Sequence, residues 1–177
     1  VGVCEGPSGG GATYLLPGLA EANESSVPVL GITSDVPVTS RGRYPLTELD
    51  QQSLFRPVTK WNTTIDLPDQ VPGAFRAAFR AMTTGRPGAA HICLPYDVQK
   101  QRLRDADEVW ADAARGAAPG RRSAPEPVAV EAAAALILAA TNPVFICGGA
   151  VVSADASGEL EELASLLDAA VCTTVSG

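Results

Sequence analysis

Gly6-Pro7-Ser8-Gly9-Gly10-Gly11-Ala12-Thr13-Tyr14 is the stretch whose reading decides the fold. It follows a short apolar run, Val1-Gly2-Val3-Cys4, and leads into Leu15-Leu16-Pro17-Gly18-Leu19-Ala20-Glu21-Ala22. That order reads as buried strand, glycine turn and helix start. In open α/β sheets, ligands collect in the crevice beyond the carboxyl ends of the strands. Gly6, Gly9, Gly10 and Gly11 leave the backbone bare, so a ligand can approach closely and a positive φ carries no steric cost. The first N–H groups of the following helix would lack intrahelical partners and would favour an anion or a polar ring edge.

Neither familiar phosphate loop fits. Gly6 and Gly11 have P-loop spacing and Thr13 stands where its Ser/Thr belongs, but the required lysine is Ala12. Gly9-x-Gly11 begins a dinucleotide fingerprint, yet Tyr14 occupies the third glycine position, where close helix–strand packing wants no side chain. A plain strand-to-helix turn without a ligand is the competing reading.

Outward from the loop, alternating strands and helices predict an α/β fold with a parallel sheet. Residues 12–24 read as a helix, with Pro17-Gly18 suggesting close packing or a kink. Val27–Thr33 is apolar throughout, as parallel strands buried on both faces are. Thr47 is the expected N-cap of a short helix with Asp50 in its first turn, and residues 60–65 read as a strand. After a capped start at 66–72, Phe75, Ala78, Phe79 and Met82 recur at helical spacing and are expected in the core. Ala89–Pro95 reads as another buried strand, and within it His91 is expected to be a satisfied structural histidine.

Residues 99–127 lose apolar periodicity and read as a linker that includes Asp105, Asp107 and Glu108, with Trp110 pinning it to a domain surface. A new α-β-α-β run then starts. Its first helix spans 128–140, with Val128, Ala132, Ala135, Leu136, Leu138 and Ala139 inward; Val144–Cys147 is a strand that turns at Gly148-Gly149. Asp155 or Ser157 would cap a helix bearing Leu160, Leu163, Leu166 and Leu167, and residues 171–175 form a last strand.

Composition narrows the partners. The 177-residue chain carries a net charge of −7, which argues against nucleic acid or an anionic membrane surface. No apolar run reaches transmembrane length. Cys4, Cys93, Cys147 and Cys172 lie far apart in apolar runs and only one histidine is present, so no zinc or other metal site is expected. Buried free thiols in a cytoplasmic protein are the simpler reading. Because the chain starts without Met in a hydrophobic run and stops just after a strand, we expect an excised piece of a longer protein.

Together these motifs resemble the thiamine diphosphate-dependent family that includes acetolactate synthases and benzoylformate decarboxylases. Pro7–Thr13 is similar to that family's T-S-G-P-G-A-T loop, and Val27–Thr33 to its second strand. Glu48 with Thr59-Lys60-Trp61-Asn62 resembles its Q-E…T-K-x-N segment, and Gly85-Arg86-Pro87-Gly88…Leu94-Pro95-Tyr96-Asp97-Val98 its G-R-P-G-P…P-x-D-V. Asn142–Val144 through Gly148–Ala150 resembles the first strand of the central domain. The resemblance spans nearly the whole chain and implies three parts. These are the later part of a pyrimidine-binding domain (1–98), a linker (99–127) and the first part of a Rossmann-like central domain (128–177).

The resemblance further implies an enzyme acting on α-keto acids, a lyase or a carboligating transferase. Its cofactor would be thiamine diphosphate with Mg2+, and it would be a homodimer or homotetramer. Pro7, Ser8, Gly9, Gly10, Gly11, Thr13 and Tyr14 would line the cofactor, and Leu46, Thr47 and Glu48 would stand on the substrate side. The activating glutamate would precede Val1, and the G-D-G…Asn motif for diphosphate and magnesium is not in this sequence, so the piece alone is expected to be inactive. FAD, which some relatives bind in the central domain, is a further candidate cofactor. Four positions depart from the pattern: Tyr14 replaces an asparagine, Gly10 a proline, and Leu46-Thr47 the Phe-Gln of acetolactate synthases. Tyr14 and Gly10 motivate the alternative of a non-catalytic binding or assembly module derived from the family, and Leu46-Thr47 leaves the donor and acceptor substrates open.

Overall fold

A computed structural model describes residues 1–104 and 110–177; Asp105, Asp107 and Glu108 of the expected linker lie outside the described residues. The chain divides into two compact units, Val1–Arg121 and Arg122–Gly177.

The first unit is built on a four-stranded, all-parallel sheet of order β1-β2-β4-β3. Its strands are β1 (Gly2–Gly6), β2 (Val29–Asp35), β3 (Trp61–Thr64) and β4 (Ala90–Pro95). Its helices are α1 (Leu15–Glu24), α2 (Gln51–Phe55), α3 (Val71–Thr83) and α4 (Tyr96–Gln99). Parallel strands need crossover connections, so the chain fills both faces of the sheet. On one face Leu30, Ile32, Ala90 and Ile92 meet the stripe Phe75, Ala78, Phe79 and Met82 of α3, as the helical spacing predicted. On the other, Leu19 and Ala22 of α1 pack with Ala12, Phe55 and Ala89. Gly31 packs closely there: a Cβ would stand 2.6 Å from Leu19 Cδ1 and force that side chain to shift.

Several boundaries differ from the sequence reading. The first helix is a 3-10 turn over Gly9–Tyr14 that runs into α1. Pro17 therefore falls in the first turn of α1, where its missing N–H costs little, and a Cβ at Gly18 would meet nothing within 4 Å. No close packing is needed there. Strand β2 lies two residues later than expected, its ladder running on to pair Asp35 with Pro95, while Pro28 stays outside it and its carbonyl accepts from Gly2 N. The N-cap of α2 is Asp50, whose Oδ1 accepts from Ser53 N at 3.0 Å; Thr47 lies outside the helix with φ +78°.

Helix α3 is closed at both ends by side chains. Gln70 Oε1 accepts from Asp66 N and Leu67 N ahead of it. At the far end, Lys60 Nζ donates to the carbonyls of Ala81, Thr84 and Arg86 at 2.6–2.8 Å, satisfying groups a helix end leaves bare. Part of the 99–127 stretch is held on this unit. The Arg76 guanidinium lies 4.5 Å from the centre of the Trp110 ring, Arg115 donates to Thr84 Oγ1, and Gly120 N donates to Thr83 O.

The second unit holds α5 (Pro127–Ala139), β5 (Val144–Cys147), α6 (Gly149–Ser153), α7 (Ser157–Leu167) and β6 (Ala170–Thr173), with β5 and β6 paired in parallel. Val128, Leu136 and Leu138 were expected to face a core; all three are exposed, because a two-stranded sheet is too small to cover a helix that is apolar all round. Leu166 is exposed as well. Neither Asp155 nor Ser157 caps α7: the N-cap is Ala156, and Asp155 sits in the turn before it with φ +55°. Gly149 opens α6 instead of extending a turn.

Candidate functional site

The glycine loop sits at the carboxyl end of β1, and the 36–50 loop leaves the carboxyl end of its neighbour β2. Adjacent parallel strands thus deliver both loops to one edge of the sheet. Gly9 takes φ +62°, and a Cβ there would stand 2.6 Å from Thr47 Cβ and 2.7 Å from Thr47 Cα. Ser8 Oγ and Thr47 Oγ1 are 3.0 Å apart and share a hydrogen bond. A Cβ at Gly11 would collide with the Pro7 ring at 2.2 Å. Gly10 is different: a Cβ there would meet nothing within 4 Å. The loop is therefore closed on its inner side by Pro7 and Thr47 and bare on its outer side at Gly10.

Of the remaining candidates, Thr13 is exposed and donates back to Gly10 O at 2.6 Å. Tyr14 is 84% exposed and Leu46 92% exposed. Glu48 is occupied within its own loop, its Oε1 accepting from Gly42 N at 2.6 Å. The structure thus brings Ser8 and Gly9 against Thr47, leaves Tyr14 and Leu46 projecting, and turns Glu48 back.

The root of the 36–50 loop is fixed by charge. Arg41 bridges Asp35 at 3.3 Å and Asp66 at 2.5 Å. Burial works against the Arg41 charge, but the two carboxylates outweigh it and its pKa is raised. Both oxygens of Asp97 accept from Val38 N at 3.1 Å.

Beneath the loops lies a buried polar group that sequence reasoning missed. Thr33, Gln51 and His91 are at most 2% exposed. Thr33 donates to Gln51 Oε1, and Thr33 Oγ1 lies 2.8 Å from His91 Nε2. Gln51 Nε2 donates to Ser34 O at 2.7 Å, and Phe55 stacks on the imidazole with ring centres 3.9 Å apart. Burial lowers the His91 pKa to about 4. His91 is structural, as expected, but only half satisfied, since Nδ1 has no hydrogen-bond partner. The one signal available in the sequence was a threonine inside an otherwise apolar strand.

The cysteines are all free. Cys93 is buried and its thiol is pushed up to about 12, chiefly by burial. Cys172 is exposed and Cys4 partly so, which corrects the expectation that all four are buried. Among the described residues, no group of three or more His, Cys, Asp or Glu could hold a metal ion. No described helix is long and apolar enough to cross a membrane.

A parallel α/β unit with a braced glycine loop at the carboxyl edge of its sheet, followed by a second α/β unit, defines a two-unit α/β protein. Residues 1–54 match the N-terminal TPP binding domain of thiamine pyrophosphate enzymes, and residues 130–177 match their central domain. The chain belongs to the thiamine pyrophosphate enzyme family. It is 41% identical over 99% of its length to a probable acetolactate synthase large subunit of Methanocaldococcus jannaschii, covering 30% of that protein. It is 39% identical over 99% of its length to the acetolactate synthase large subunit of Corynebacterium glutamicum, covering 28% of it. With the glyoxylate carboligase of Escherichia coli O157:H7 the identity is 30%, over the whole chain and 29% of that protein. The chain thus spans about three-tenths of the length of the curated relatives it matches.

Proposed function

We propose that this chain supplies one wall of the cofactor site in a thiamine diphosphate-dependent enzyme that decarboxylates or joins α-keto acids in the manner of an acetolactate synthase. The observation that carries this reading is the glycine loop, braced by Thr47 and Pro7 on one side and bare at Gly10 on the other. Such a surface fits a flat heterocycle laid against backbone. Thiamine diphosphate, when bound, supplies nucleophilic addition to a keto carbon and an electron sink for loss of CO2.

Pro7, Ser8, Gly9, Gly10 and Gly11 would form the backing, Thr13 would fix the turn through Gly10 O, and the projecting Tyr14 would flank the ring. On the substrate side Leu46 projects and offers an apolar contact. Thr47 holds position, and Glu48 stays engaged with Gly42 N. The diphosphate and Mg2+ are assigned to a segment outside residues 1–177, as is the activating glutamate. FAD gains no support from Gly148-Gly149, because Gly149 packs against Ser176 O instead of offering bare backbone.

Within this reading, residues 1–98 belong to the pyrimidine-binding domain, 99–127 to the connection and 128–177 to the central domain of a homo-oligomeric cytoplasmic enzyme. The test is calorimetry of thiamine diphosphate with Mg2+ on the complete gene product. Saturable binding is expected. No binding by that product would overturn the proposal and favour a non-catalytic module.

A further inference from the structure

The backbone at Thr47 poses a physical problem. A β-branched residue at φ +78° is an outlier that persists only where its surroundings over-determine it. Its hydrogen bond to Ser8 is exposed and cannot hold the loop alone. The 41–50 loop is pinned at Arg41 by Asp35 and Asp66, and by the Glu48–Gly42 bond. Its far end runs directly into Gln51, the first residue of α2 and itself buried.

The hydrogen bonds around Gln51 have a definite direction. Gln51 Nε2 donates to Ser34 O, so Oε1 must face Thr33; the flipped amide would set two carbonyl oxygens against each other. The single Thr33 proton is therefore spent on Gln51 Oε1. Thr33 Oγ1 can then only accept from His91, which places the imidazole proton on Nε2 and leaves Nδ1 a bare lone pair. Phe55, one turn beyond Gln51, stacks on the same ring at an interplanar angle of 21°. Helix α2 is thus tied to His91 twice, by the relay through Thr33 and by the aromatic stack.

We propose that His91, Thr33 and Gln51 act as a positioning relay, with His91 fixed as the neutral Nε2–H tautomer, that holds Thr47 in its left-handed conformation against Gly9 of the glycine loop. The relevance to catalysis rests on the proposed cofactor role of that loop; the geometry does not. The order His91 Nε2–H to Thr33, Thr33 O–H to Gln51 and Gln51 N–H to Ser34 O is a one-way chain. Removing the central hydroxyl breaks both links at once.

His91 is the only histidine of residues 1–177, so its ring nitrogens can be read without assignment in the 15N-labelled 177-residue chain at neutral pH. A pyridine-type Nδ1 and a pyrrole-type Nε2 are expected. The opposite tautomer, or an averaged imidazole, would overturn the proposal, and no substitution is needed to see it. Thr33→Val should then raise amide hydrogen exchange across residues 42–50 at least tenfold and shift the Gly9 amide, with α3 unchanged; Thr33→Ser should restore both. Unaltered exchange at 42–50 in a folded Thr33→Val chain would refute the relay. These readouts contain no cofactor, so a failure to bind thiamine diphosphate leaves them standing and is separately detected.

Discussion

Acid should loosen the first unit through one residue. His91 has no water contact and only one ring nitrogen bonded, and burial lowers its pKa to about 4 from an ordinary 6.5. Between those values the unfolded chain binds a proton that the folded chain refuses, so stability rises with pH across that window and is lost as pH falls. The loss is about 2 kcal/mol at pH 5 and about 3 kcal/mol at pH 4, relative to pH 7.5. Neighbouring charges do not obscure this. The Cys93 thiol, pushed up to about 12, stays neutral throughout, and Arg41, raised by its carboxylates, stays charged. Asp50 is lowered below 3.8 by its bonds to Ser53, so its contribution falls away only under the window. Urea unfolding followed by tryptophan fluorescence measures the right unit, since Trp61 and Trp110 both lie in Val1–Arg121. His91→Phe keeps the stack on Phe55 and removes the titration; its stability should vary by less than about 1 kcal/mol over the same pH range. An equal acid slope in the two proteins would refute the argument, as would a wild-type curve flat between pH 7.5 and 5.

Three further outcomes test the loops and the core. Gly9→Ala places a Cβ 2.6 Å from Thr47 at φ +62° and should cost about 1–3 kcal/mol, whereas Gly10→Ala, facing open space, should stay within about 0.5 kcal/mol; urea midpoints separate them. Lys60→Met leaves three carbonyls at the end of α3 without their cation and should lower stability by about 1 kcal/mol, seen as a shift in the same midpoint without a change of slope. With a thiol reagent at pH 8, Cys172 should react first and Cys4 more slowly. Cys93 should react only on unfolding, read by peptide mass mapping.

The class of fold was legible because its signals are local. A buried strand flanked by glycine turns announces a parallel sheet, and the spacing of Phe75, Ala78, Phe79 and Met82 fixes which face of α3 is inside. Boundaries were less legible where long-range pairing overrides propensity. The β2 ladder is set by its partners in β1 and β4, and Asp50 displaces Thr47 as the cap of a helix whose first residue, Gln51, is buried and bonded to Thr33. In the second unit, helical spacing marked Val128, Leu136 and Leu138 as inward, but spacing cannot say what covers a face, and the described elements leave these residues exposed.

By itself the sequence determined the strand–glycine–helix order and the parallel α/β class, which follow from residue type and spacing along the chain; the kinship with thiamine pyrophosphate enzymes was carried by the resemblance of its motifs to that family. Tertiary structure alone decided that Thr47 closes on Gly9, that Glu48 turns back to Gly42, and that Lys60 serves the end of α3. Tertiary structure also joined His91 to Gln51 through Thr33. The Thr33–Gln51 and Thr33–His91 bonds link residues 18 and 58 positions apart. Their existence depends on two parallel strands lying side by side, a relation no local pattern encodes.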